Sequence, residues 1–95
     1  MRLVYLASTA PDFVWLRRYY AQIFPEGDRR AREQFRKATA LLLASPHIGR
    51  PIAPPDVREL VIPRTPFSIV YRVREDRIEI LRIWDNRAER APSRL

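Results

Sequence analysis

The chain of 95 residues has no cysteine, one histidine, one lysine and two glycines. Without cysteine it can hold no disulfide framework, no thiolate zinc site and no cysteine nucleophile. A lone histidine, His47, leaves no histidine-based metal cluster and no Ser-His-Asp arrangement. His47 lies in a proline-rich stretch and reads as structural or exposed. No metal or other cofactor is expected. No run approaches the ~18 consecutive apolar residues of a membrane span. The opening MRLVYLAST is too short an apolar run for a secretory leader. A cytoplasmic protein with no membrane partner is the expectation.

Charge of one sign is abundant. Eighteen basic residues, seventeen of them arginine, stand against eleven acids, for a formal net charge of +7. Such a surface favours a polyanion or an acidic protein. An arginine-biased composition would explain arginine over lysine, but not the net excess. Hydrophobic residues make up 46% of the chain, enough for a globular core. The length allows one domain, residues 1–95, and a domain this small buries only about 60–65% of its unfolded surface. It would gain from a partner.

The pattern predicts the order β-α-α-β-β-β. Leu3, Val4, Tyr5 and Leu6 form a short apolar run, expected as a strand inside a sheet. Thr9 and Asp12 have capping-box spacing, and Pro11 suits a first helical turn. A helix is predicted from Ala10 to Ile23, with Phe13, Leu16, Tyr20 and Ile23 on one face. Trp15 and Tyr19 fall on a neighbouring face. Pro25-Glu26-Gly27-Asp28 breaks this helix, and Asp28 offers a new N-cap. A second helix is predicted from Arg29 to Ala44, with Ala31, Phe35, Ala38 and Leu42 as its inward stripe. The basic residues between Arg29 and Lys37 mostly avoid that stripe and form an exposed basic face.

Residues Pro46 to Pro55 carry four prolines and Gly49 and read as loop. Three strands follow: Val57–Ile62, Phe67–Arg74 and Ile78–Trp84. In the second, Phe67, Ile69, Tyr71 and Val73 alternate with Ser68, Val70, Arg72 and Arg74. The third is apolar at both parities, Ile78, Ile80 and Trp84 against Leu81 and Ile83, so both its faces need cover. The expected fold is α+β, a helical hairpin packed on one face of a small, mainly antiparallel four-stranded sheet. The tail from about residue 89 to residue 95 is expected to fray.

The non-helical face of this sheet is the first candidate site. Arg72 and Arg74 share its parity, Arg58 and Arg82 lie on adjacent strands, and Arg87 follows the last strand. Guanidinium groups on neighbouring strands would make a positive field able to grip phosphates or carboxylates. The alternative is that these arginines pair with Glu59, Glu79 and Asp85 across strands. Trp84-Asp85-Asn86-Arg87 is the densest polar-aromatic cluster. Asp85 would orient Arg87 or act as a base, or else close a strand-end turn. Trp15, Tyr19 and Trp84 are the aromatics left over for contact with a partner.

The segments SPHIGRPI (45–52), VREL (57–60), FSIVYRV (67–73) and IEILRIWDNRAE (78–89), in this order and spacing, resemble the RelE/ParE superfamily of toxins from type II toxin–antitoxin systems. The likeness covers nearly the whole chain. It implies a growth-inhibitory toxin neutralised by a cognate acidic antitoxin, with two main activities in the superfamily. One branch cuts mRNA on the ribosome, and the other blocks DNA gyrase without an established hydrolytic site. Arg58 and Arg87 fall near basic positions of the cutting branch, so a ribonuclease would use Arg58, Arg87 and Asp85. Ser68 stands where that branch often has a strand arginine, and Trp84-Asp85 where many relatives have a histidine. The helical hairpin and the GRP loop look more like the ParE side. The resemblance therefore implies a gyrase poison, with Arg58, Arg72, Arg74, Arg82, Trp84 and Arg87 as contacts to target or antitoxin. The alternatives are an mRNA endonuclease and a degenerate member acting only in an antitoxin complex. Promoter DNA is expected to be met only through that complex.

Overall fold

In a computed structural model, which describes residues 1–87, two helices lie on one face of a five-stranded sheet. The elements are β1 (Arg2–Tyr5), α1 (Ala10–Arg18), α2 (Asp28–Ala44), β2 (Arg50–Ala53), β3 (Val57–Val61), β4 (Phe67–Val73) and β5 (Arg77–Asp85). The sheet order is β1-β5-β4-β3-β2. β1 runs parallel to β5, and the other pairings are antiparallel. The α+β class is as the pattern predicts. The tail expected to fray from about residue 89 lies outside the described residues.

The fifth strand is β2, drawn from the stretch expected to be loop. It pairs Arg50 with Glu59 and Pro51 with Arg58, then shifts register before Ala53. An edge strand has one row of backbone groups without ladder partners, which is where proline is tolerated. β1 also lies at an edge, not inside the sheet as its apolar run suggested. Only β5 flanks it, and Arg2 and Tyr5 are exposed.

α1 begins without the predicted capping box. The Thr9 hydroxyl donates to the Leu6 carbonyl at 2.7 Å, and Asp12 turns away to the sheet. Past Arg18 the helix widens into a π-helical turn, Tyr19–Ile23, where the Phe24 N–H donates to the Tyr19 carbonyl at 2.9 Å. Tyr19 and Tyr20 are both buried by this turn, whereas Ile23, expected on the inward stripe, is 56% exposed. Each residue of a wider turn advances the helix by a smaller angle, so Ile23 falls short of the core. Gly27, not Asp28, occupies the N-cap of α2. Asp28 opens the first turn and accepts from Arg32 Nε at 2.9 Å. The inward stripe of α2 is as predicted: Ala31, Ala38 and Leu42 are buried, and Phe35 packs on the core.

The main core lies between helices and sheet. Phe67, Ile69 and Tyr71 of β4 meet Ile78, Ile80 and Ile83 of β5 there, under Tyr19, Tyr20 and Leu42. Ile83 shares a face with Ile80 because the β4–β5 ladder slips by one residue between Val70 and Tyr71. A bulge of this kind inverts the parity beyond it. Trp84, grouped by simple alternation with Ile78 and Ile80, therefore sits on the opposite face with Val57 and Val70. Ile52 and Ala53 of β2 pack on this second cluster. The chain itself thus covers part of the second face of β5.

Candidate interaction surfaces

The sheet arginines are each engaged. On the open face, Glu79 accepts from Arg72 Nη2 at 2.8 Å, Arg77 Nη2 at 3.0 Å and Arg74 Nε at 3.3 Å. The Arg72 hydrogen bond is the strongest influence on this carboxyl, and with Arg74 and Arg77 it holds the pKa at about 2 against desolvation. Nearby, Arg50 donates to Glu59 at 2.7 Å. The cross-strand pairing weighed from the sequence is what the register creates, since Arg72 faces Glu79 and Arg50 faces Glu59.

Arg58, Arg82 and Arg87 do not join Arg72 and Arg74. Arg58 donates to the carbonyls of His47 and Gly49 at 3.0 and 2.9 Å and to Asp56 at 3.1 Å. It therefore staples the proline-rich segment to β3. The same segment is fixed by the Gly49 N–H, which donates to the Tyr71 hydroxyl at 2.8 Å. Arg82, at the bulge, donates twice to Asp12, at 2.8 and 3.0 Å. Asp12 also accepts the Ile83 N–H at 2.9 Å, binding the start of α1 to β5.

Arg87 lies on the helix side, 4.2 Å above the ring of Tyr19, and donates to Asp85 at 2.9 Å. Burial pushes the Asp85 carboxyl up, but hydrogen bonds from Arg87 and from the Trp15 indole, at 2.8 Å, overcome it and leave it below its ordinary value. Arg58 faces Tyr71 and Asp85 faces Phe67, four residues apart along β4. Four residues of strand put about 13 Å between those two positions. The residues a ribonuclease would use are therefore not gathered at one point. Trp84 and Tyr19 are packed at 8% and 7% exposure, so neither presents its ring to solvent.

Basic side chains without a carboxylate within ion-pair distance, among the described residues, are concentrated on the helical hairpin. They include Arg17 and Arg18 of α1 and Arg29, Arg30 and Lys37 of α2, all exposed. Arg32 and Arg36 are paired only to neighbours on their own helix, Asp28 and Glu33. A groove of about 610 Å³ runs between the helices, with Phe13, Leu16, Tyr20, Phe35, Ile62 and Phe67 in its wall. Arg17, Arg32 and Arg36 stand along its margin. This volume is in the usual range for ligand-sized clefts.

The basic face of α2 follows from the sequence pattern, whereas the groove does not. The one available signal was the small side chains Ala21 and Ala31, which leave the inter-helix space unfilled where larger residues would close it. Among the described residues no helix is long and apolar enough to cross a membrane, and no group of three or more metal-ligating side chains occurs.

The model of the ParE toxin of type II toxin–antitoxin systems, parDE, matches residues 5–89. The chain belongs to the ParE toxin family. A solved structure described as a chromosomal ParDE toxin–antitoxin system from P. aeruginosa is 34% identical to it, with a TM-score of 0.67. The similarity covers 87% of this chain and 92% of the other. No curated protein matches. Among the described residues, this ParE-family chain thus carries most of its spare positive charge on the helical hairpin, while the sheet arginines of the family-like segments are tied to acids or to backbone. A toxin of a two-component system implies a cognate antitoxin as partner.

Proposed function

We propose that this ParE-family toxin inhibits growth by binding and poisoning DNA gyrase, and that a cognate acidic antitoxin neutralises it. The observation that carries this reading is the family match over residues 5–89. The geometry supports a binding mode rather than ribonuclease chemistry. Arg58 is committed to the Gly49 segment and Arg87 to Asp85 and Tyr19, at separate positions along β4. Stabilising a pentacoordinate phosphate would need such cations converging on one atom.

The inter-helix groove supports the antitoxin half of the proposal. Its wall is largely apolar and its margin carries Arg17, Arg32 and Arg36 against one acid, Asp28, which suits an amphipathic acidic helix with its apolar side down. The antitoxin would bury the wall and neutralise part of the +7 charge. The test is expression of the chain alone and together with a candidate antitoxin, a small acidic protein if one is encoded in the neighbouring reading frame. Growth arrest relieved by the neighbour is expected, with inhibition of supercoiling by the purified toxin. Cleavage of ribosome-bound mRNA with gyrase unaffected would replace this reading with the endonuclease one.

A further inference from the structure

We propose that the solvent face of α2, carried by Arg29, Arg30 and Lys37, binds the phosphate backbone of nucleic acid directly. All three side chains are exposed, and among the described residues no carboxylate lies within ion-pair distance of them. They are not part of the groove wall. At 3.6 residues per turn Arg29 and Lys37 lie on the side of α2 away from Ala31, Ala38 and Leu42 and Arg30 on its flank, with Glu33, already paired to Arg36, between them.

The chemistry of this face selects the class of partner. Between Arg29 and Lys37 the apolar residues are Ala31 and Phe35, and both belong to the inward stripe. A protein partner would need apolar anchors to bury, and this stretch of the face offers none. Phosphates need only cations and donors, and arginine can meet them bidentately. From Arg29 to Lys37 the helix rises about 12 Å, enough for the three long side chains to reach separate phosphates. Helix stability does not explain the placement either. Arg29 and Arg30 occupy the first turn of α2, where the helix dipole disfavours cations.

This inference does not depend on the identity of the toxin's target, and a negative supercoiling result leaves it standing. The test is fluorescence anisotropy of the full chain with a labelled DNA duplex of arbitrary sequence, from about 50 to about 200 mM salt. The wild type should bind with an affinity that falls as salt rises. The triple variant Arg29→Ala, Arg30→Ala, Lys37→Ala should lose up to about 2.7 from the log–log salt slope, at ~0.9 per phosphate contact. A charge-matched variant, Arg2→Ala, Arg64→Ala, Arg74→Ala, should lose less than half as much.

Glutamine versions repeat the comparison should alanine lower the melting temperature. Equal losses in the two triple variants would reduce the effect to net charge and overturn the proposal. So would no binding at the lowest salt. Loss of binding to polyglutamate with DNA binding intact would assign the face to an acidic protein instead.

Discussion

Asp12 should matter more to the fold than the arginine it pairs with. Its carboxylate accepts both Arg82 hydrogen bonds and the Ile83 N–H, with only 10% of the side chain exposed. Replacing it with alanine strands the Ile83 N–H beside a buried strand position. An unsatisfied buried donor costs about 1–3 kcal/mol, and loss of the ion pair with the part-exposed Arg82 adds up to about 1 kcal/mol. Asp12→Ala should therefore destabilise by roughly 2–4 kcal/mol, or about 10–25 °C in melting temperature for a domain this small. Arg82→Ala removes only the ion pair, and its side chain is 40% exposed. Water replaces the lost partner, so the cost should stay at about 1 kcal/mol or less. Asp12→Asn keeps a carbonyl oxygen for Ile83 and should fall between the two. Thermal and urea melts of the three variants decide the matter. Equal destabilisation by Arg82→Ala and Asp12→Ala would refute the idea that the backbone contact dominates.

Gly49→Ala should destabilise by about 1–3 kcal/mol through overpacking, because a Cβ there would sit 2.7 Å from the Tyr71 hydroxyl and 2.9 Å from the Glu59 carbonyl. A melting temperature within a degree or so of wild type would contradict the contact. The Glu79 carboxyl titrates at about 2 in the fold, against 4.5 unperturbed. Its folded value is depressed, so its stabilisation is present above about pH 4.5 and is lost as pH falls toward 2. Glu79→Gln should flatten the acid limb of the stability profile in that window, and an unchanged limb would argue against the three-arginine cluster. Arg36→Ala, at the groove margin, should leave growth arrest intact while weakening rescue by the antitoxin. Loss of toxicity in a folded variant would move the target surface onto α2.

Much of the fold was readable from periodicity. The inward stripe of α2 and the alternation of β4 follow from spacing alone, because each side chain's face is fixed by local geometry. What escaped depends on non-local pairing. β2 was hidden by Pro51 and the prolines flanking it, since only an edge position with a partner strand makes Pro51 acceptable. The bulge after Ile80 moved Trp84 to the second cluster, and no residue type in Ile78–Trp84 announces such a slip. The π-helical turn rotated Ile23 out of its stripe for the same reason.

The candidate site was less legible still. The sequence shows arginines, but only the register shows which carboxylate each one meets. Arg72, Arg74 and Arg77 converge on a single glutamate that is distant from two of them along the chain. The apolar groove arises from two helices meeting over Ile62 and Phe67, a juxtaposition that spacing within either helix cannot reveal.

The central claim, a toxin that acts on gyrase by binding, is tested most directly by DNA supercoiling with purified gyrase and the purified chain. The account predicts inhibition that depends on toxin concentration and is reversed by adding the cognate antitoxin. Full supercoiling activity at saturating toxin, with ribosome-bound mRNA cut in a parallel translation reaction, would contradict it.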